Sequence, residues 1–206
     1  AYSVVGLARA GRLDAAQKLA RYFAESDFFG GFGAQGDAPG TALWTLEEVA
    51  SRVNNRDYDR FLWPHVHRKA EFILGLMSTK KLIERIFPAM IVPIHRADKE
   101  GNLVADPPRD GLIMGRFDFG RPAFFITALS YRGLERAADL ADRMGAENDA
   151  RRWRAAAADL KAAWNRNYKS SEGNDRTYIS GLWPTWIAGP DRAAYREGLD
   201  RHWNAL

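Results

Sequence analysis

The sequence predicts an all-α protein built of helical hairpins. Three observations carry that expectation. Apolar residues recur at spacings of three and four along most of the chain, as on one face of a helix. Single glycines or asparagines close the periodic segments, at Gly11, Asn54 and Gly145. No parallel-strand pattern interrupts them, and short turns alternate with long loops rich in glycine and aromatic residues.

The helices follow in order. Ala1 to Ala10 is alanine-rich and stops at Gly11; Leu13 to Glu25 resumes through Leu13, Ala16, Leu19 and Phe23. These two read as a tight hairpin. Pro39 to Val53 carries an apolar stripe of Leu43, Leu46, Val49 and Val53, with Trp44 packing beside it and Glu47 and Glu48 facing out. Asp37 is placed to cap this helix, and Asp57 to cap the next, which runs to about Met77 through Leu62, Val66, Ala70 and Ile73. Pro64 implies a kink or a late start in it. Pro122 opens a helix to Met144, closed by Gly145, and Glu147 to Tyr168 returns through Ala150, Trp153, Ala157, Leu160 and Trp164. Asp191 to Asn204 begins a last one.

Composition narrows the classes of function. The chain has 206 residues, 46% hydrophobic and 27% charged, enough for one domain, 1–206, with a sizeable core. It begins with Ala1 inside a helix-like segment, which reads as a processing or excerpt boundary. No apolar run reaches the roughly 20 residues of a membrane span. The absence of cysteine removes disulfides, thiolate nucleophiles and Cys-ligated zinc. The net charge of +4 is spread among acids rather than gathered in a basic block, so nucleic acid is not an expected partner. The compartment stays open, cytoplasmic or exported.

Two patterns that resemble cofactor or metal motifs do not hold up. Gly31-Phe-Gly-Ala-Gln-Gly36 matches a dinucleotide fingerprint, yet an amphipathic helix precedes it where a buried strand is required. His65 and His67 are two apart, so a helix points them to different sides and they make a poor metal pair. No metal and no cofactor is expected.

The long loops carry the candidate chemistry. They precede Pro39, Pro122 and Asp191, at spacings of roughly 70–85 residues. If hairpins stack about an axis, these loops gather at one end and build a cleft. The first presents Gln35 and Asp37. The second, Asp106 to Pro122, combines prolines, glycines, Asp110, Asp118, Arg109, Arg116 and Arg121 with Leu, Ile, Met and Phe. Convergent charge on an apolar loop between helices is the composition of a binding or catalytic mouth. Upstream of it, Met90 to Ile94 reads as a short extended piece and Asp98 to Gly101 as a turn. The third long loop, Arg176 to Pro184 and beyond, presents Trp183 and Trp186, rings suited to stacking on flat ligand faces.

Two of these stretches resemble the six-hairpin glycosidases, the (α/α)6 toroids that include glucoamylases and related α-glucan-active enzymes. Gln35-Gly-Asp37-Ala-Pro39-Gly-Thr-Ala-Leu43 looks like their segment in which a Gln and an Asp precede a small-residue helix start and hold the sugar. Gly111-Leu-Ile-Met-Gly followed by Phe124 to Leu134 looks like the loop bearing their general acid and the helix after it. The resemblance covers residues 1 to 168 and implies a partial toroid, because a complete one needs six hairpins and the pattern supplies fewer. The remaining hairpins of the same polypeptide would complete the fold. The implied activity is inverting hydrolysis of an oligo- or polysaccharide, in which an acid protonates the leaving oxygen and a base activates water. The base of that family lies beyond Leu206.

One departure bears directly on catalysis. The family carries an aromatic followed by Glu where this sequence has Ile113 and Met114. The acid role then falls to Asp118 or Asp110, with Asp118 first because Phe117 and Phe119 flank it and burial raises a carboxyl's pKa. Gln35, Asp37, Trp183 and Trp186 are the expected sugar contacts. Arg109, Arg116 and Arg121 suit an acidic sugar. The alternatives are a non-catalytic glycan- or protein-binding hairpin module, or a lyase or epimerase on the same toroid using Tyr131, Tyr178 or His95.

Overall fold

A computed structural model of the chain describes residues 1–27, 35–78, 104–115, 125–167, 181–188, 197, 200, 203 and 204. Six helices and one strand pair make up the described elements: α1 (Tyr2–Arg9), α2 (Leu13–Glu25), α3 (Ala38–Val53), α4 (Arg56–Ser78), β1 (Ala105–Arg109), β2 (Leu112–Gly115), α5 (Phe125–Met144) and α6 (Glu147–Asn167). The paired helices agree with the hairpin expectation. No helix among the described residues is long and apolar enough to cross a membrane.

The three short turns repeat one device. Gly11, Asn54 and Gly145 each adopt a left-handed backbone, at φ of 75°, 47° and 78°. Glycine and asparagine tolerate that region where a Cβ-branched residue would not. At the first and third turns the hydrogen bonds coincide. Gly11 N–H donates to Ala8 and Arg12 N–H to Leu7; Gly145 N–H donates to Asp142 and Ala146 N–H to Ala141. Both are Schellman closures, which satisfy the last carbonyls of a helix and turn the chain back. Asn55, not Asp57, caps α4: its side-chain oxygen accepts the N–H groups of Asp57 at 2.8 Å and Tyr58 at 3.0 Å. Asp57 lies inside the first turn and pairs with Arg60. The helix continues through Pro64.

Helix α3 is the centre of the packing, in contact with α1, α2, α4 and α5. It runs parallel to α1, since Tyr2 meets Trp44 and Arg9 meets Glu48. It runs parallel to α5 as well, since Gly40 lies beside Leu129 and Glu47 beside Arg143. The even-numbered helices return in the opposite sense. Asp59, near the start of α4, reaches Arg143 at the end of α5. The short turns therefore share one end, and the N-termini of α1, α3 and α5 lie at the other.

Two glycines set the closest approach. A Cβ on Gly40 would fall 2.5 Å from the Leu129 carbonyl oxygen, and one on Gly133 would fall 2.7 Å from the Gly40 Cα. Backbone meets backbone there, so α3 and α5 pack without side chains between them. With neighbours on all sides, α3 buries residues around its circumference, from Ala38 to Ala50. Glu47 and Glu48 are buried with the rest, contrary to the outward position that periodicity predicts. Their charge is met by arginines: Glu48 by Arg9 at 3.1 Å and Arg52 at 3.0 Å, Glu47 by Arg143 at 3.1 Å and Arg136 at 3.7 Å. Arg143 also reaches Asp59 at 3.2 Å. Burial raises the Glu47 pKa even against these two cations. On α4, Lys69 is wholly buried and donates to the Ala24 carbonyl at 2.9 Å and to Asp27 at 2.7 Å. It thereby ties the C-terminal end of α2 to α4.

The start of the Asp106–Pro122 stretch is a β-hairpin rather than an irregular loop. Ala105 pairs with Gly115, Asp106 with Met114 and Arg109 with Leu112. One register step is lost between Asp106 and Arg109, where Pro107 and Pro108 cannot donate to a ladder. Asp110 and Gly111 form the turn at φ of 55° and 80°, the two left-handed residues a type I′ turn requires. The Thr127 hydroxyl both donates to the Ile113 carbonyl and accepts its N–H, each at 3.2 Å, which pins β2 to the first turn of α5. The extended piece expected at Met90 to Ile94, the turn at Asp98 to Gly101, and Tyr168 lie outside the described residues.

Candidate functional site

The end bearing the N-termini of α1, α3 and α5 collects three of the aromatic rings. Tyr2 opens α1, Trp44 lies on α3, and Trp183 stands in the turn 181–188. Their ring centroids are mutually close: Tyr2–Trp44 5.5 Å, Tyr2–Trp183 5.2 Å and Trp44–Trp183 5.6 Å. Trp44 is the floor of the cluster, 1% exposed, while Tyr2 and Trp183 remain 53% and 39% exposed. Large aromatic faces left accessible on a packed base are suited to stacking against a flat apolar ligand face.

A carboxylate borders the cluster. Asp37 precedes α3 in helical backbone conformation and makes no side-chain cap bond to that helix; its carbonyl accepts the Thr41 N–H instead. The Tyr2 hydroxyl has a raised pKa, through partial burial first and the negative charge of Asp37 second. Gln35 lies just before, buried, its carbonyl accepting the Ala38 N–H. Two of the expected sugar contacts, Asp37 and Trp183, are therefore brought together around Tyr2. The sequence offered no signal for Tyr2, because a tyrosine at the first turn of an amphipathic helix is ordinary.

The turn that carries Trp183 is anchored from within. Thr185, Ile187 and Ala188 are buried, the Thr185 hydroxyl accepts the Ile187 N–H, and Ala188 N–H closes back on the Gly181 carbonyl. Trp183 and Trp186 are held outside on that base, Trp186 in a left-handed conformation at φ 57°.

The hairpin places the remaining candidates. Arg109 and Asp110 stand at its tip, paired with each other at 3.8 Å. The tip lies against the later part of α6, where the Gly111 position is close to Ala163 and Arg166. Asp110 is 67% exposed by its side chain, so no apolar pocket surrounds its carboxyl. Asp118, Arg116 and Arg121 lie outside the described residues, as do Tyr178 and His95. The register adds one residue that composition did not single out. Asp106 pairs with Met114 across the hairpin and is half-buried, which sets a carboxylate beside the position where the resemblance expects Glu.

A second polar groove runs between α5 and α6, lined by Tyr131, Arg132, Glu135, Asp139, Arg154 and Lys161. Arg154 is bonded to both Asp139 and Asp142, and the Lys161 ammonium lies over the Tyr131 ring. Arg132 and Arg154 are already paired with carboxylates, Arg132 with Glu135 and Arg154 with Asp139 and Asp142, so the groove offers less to a ligand than the aromatic end. The chain matches no family model, no curated protein and no solved structure.

Proposed function

We propose that this chain is a segment of a carbohydrate-active enzyme of the six-hairpin kind, binding an oligo- or polysaccharide at its aromatic end and hydrolysing it with inversion. The observation that carries the reading is the cluster of Tyr2, Trp44 and Trp183 with Asp37 at its edge. Exposed rings cover the C–H face of a sugar, and a neighbouring carboxylate accepts its hydroxyls. The alternating layers of α1, α3, α5 and α2, α4, α6 support an arc of an (α/α)6 toroid, with further hairpins to close it.

The acid would protonate the glycosidic oxygen from the loop side. Asp118 is the first choice. Asp106 joins it because it faces Met114, and Asp110 stands behind both because it is exposed. The base would come from a later hairpin, across the sugar from the acid.

The second reading is a glycan-binding module without catalysis, favoured by Met114 in the acid's expected place. One experiment separates the readings. A polypeptide carrying this chain together with its later hairpins is incubated with α-glucan oligosaccharides, and new reducing ends and their anomeric form are followed by NMR alongside ultraviolet absorbance. Inverted reducing ends that vanish in Asp118→Asn or Asp106→Asn support hydrolysis. Saturable binding without product supports the module, an unsaturated product supports a lyase, and the absence of both binding and product overturns the carbohydrate reading.

A further inference from the structure

A side-chain cluster away from the aromatic end has the donor set of a metal site. His67 and Glu71 are four residues apart on α4, a spacing that puts both on one face of a helix. Asp149, in the first turn of α6, comes to meet them. One ligand atom from each lies within 4.8 Å of the other two. His67 Nε2 and Asp149 Oδ2 are 3.5 Å apart. That is already the separation of about 3.4 Å between two ligands at about 2.1 Å from a tetrahedral ion. Glu71 brings a carboxylate oxygen within 4.8 Å of both.

The surroundings hold these groups in place. Trp63 and Trp153 both meet the His67 ring edge-on, at 5.6 Å each, which fixes the imidazole plane. The Trp153 indole N–H donates to Glu71 Oε1 at 3.0 Å, an orienting contact of the kind that positions a ligating carboxylate. All three ligands sit on helices, where geometry is held better than on loops. Each is partly exposed, so an ion has access from solvent.

A cation already occupies the electrostatic place. The Arg152 guanidinium pairs with Glu71 and lies 3.4 Å from Asp149. Its side chain is about half in solvent and can swing away without breaking the core. Binding a metal there exchanges one cation for another and leaves no carboxylate uncompensated.

We propose that His67, Glu71 and Asp149 form a binding site for one divalent transition-metal ion, with zinc as the reference ion, joining α4 to α6. One imidazole nitrogen and two carboxylate oxygens without sulfur suit a borderline ion such as zinc, rather than copper(I) or an all-oxygen magnesium site. Three protein ligands leave a coordination position for water. Arg152 competes with the ion for the same carboxylates.

The test is calorimetric titration of zinc chloride into the full chain stripped with a chelator. One ion per chain, bound at micromolar or tighter, is expected. His67→Ala, Glu71→Gln and Asp149→Asn each weaken it by about 10- to 100-fold. Arg152→Gln tightens it, an outcome that a purely structural ion-pair cluster would not produce. The amide variants keep the size of the side chains, and unchanged helical circular dichroism verifies folding. Absence of saturable binding in both the wild type and Arg152→Gln overturns the proposal. So does zinc binding that is unchanged in His67→Ala, since it would then belong to other histidines.

Discussion

The ring of Tyr2, the first residue of α1, lies 5.2 Å from the ring of Trp183 in the turn 181–188. Residues near the two extremes of the described chain thus share one face with Trp44 beneath them. Removing Trp183 should leave the hydrophobic floor intact, because that ring is partly exposed while Trp44 is buried. Trp183→Ala is expected to weaken oligosaccharide binding about tenfold, or ~1.4 kcal/mol, with little change in stability. Trp44→Ala is expected to cost about 3–5 kcal/mol of folding instead. Calorimetric binding and urea denaturation of the two variants distinguish these outcomes.

The contact of α3 with α5 makes a second prediction. Gly133→Ala inserts a methyl group 2.7 Å from the Gly40 Cα, where backbone cannot step aside. The helices must separate, at a cost of about 1–3 kcal/mol despite alanine's better helix propensity. Gly6→Ala, at a position with open space around it, serves as the control and should be neutral or stabilising. Urea midpoints of both variants check this.

Arg143 compensates two buried carboxylates, Glu47 and Asp59. Arg143→Met should therefore cost about 3–5 kcal/mol near neutral pH, because a charge is left buried without its partner. The pH dependence has a definite sign. The Glu47 pKa is already raised above its ordinary 4.5 by burial, so its contribution to stability is full below 4.5 and is lost as pH rises through the raised value. Loss of Arg143 raises it further. The stability gap between wild type and Arg143→Met should be smaller near pH 4 than near pH 7, as read from urea melts.

Lys69 behaves in the opposite sense. Burial lowers its pKa below 10.5, against the pull of Asp27. Between the lowered value and 10.5 the unfolded chain holds this proton more tightly than the folded one, so stability rises with pH across that window. Lys69→Met keeps the length and apolar stem but has no proton to release. The alkaline rise in urea midpoint expected in wild type should be reduced in the variant, and an identical pH profile would show that Lys69 does not titrate there.

Much of the helical frame was legible before any coordinates. Leu13–Glu25 has the expected bounds, and α3, α5 and α6 begin or end within one or a few residues of theirs, because Gly11, Asn54 and Gly145 punctuate a clear 3.6-residue period. The hairpin at Ala105 to Gly115 was missed for a physical reason. Pro107 and Pro108 break the alternation of β1 and leave Asp110-Gly111, the strongest local turn signal in that stretch, without a recognisable strand before it. Glu47 and Glu48 were misplaced because periodicity assumes one solvent face, and α3 has neighbours on all sides. Two of the three proposed ligands, His67 and Glu71, are i and i+4 in the sequence, while Asp149 comes from another helix and carries no sequence signal linking it to them.

By itself, the sequence determined where helices start and stop and which short turns reverse them. Those features depend on backbone conformations that glycine, asparagine and proline impose locally, whatever surrounds them. Only the tertiary structure decided which side chains meet. Tyr2 finds Trp183, Asp149 finds His67, and Gly133 finds Gly40 through helix packing, whose geometry depends on many side chains at once. No local pattern encodes those distances, because each is set by the whole core closing around α3.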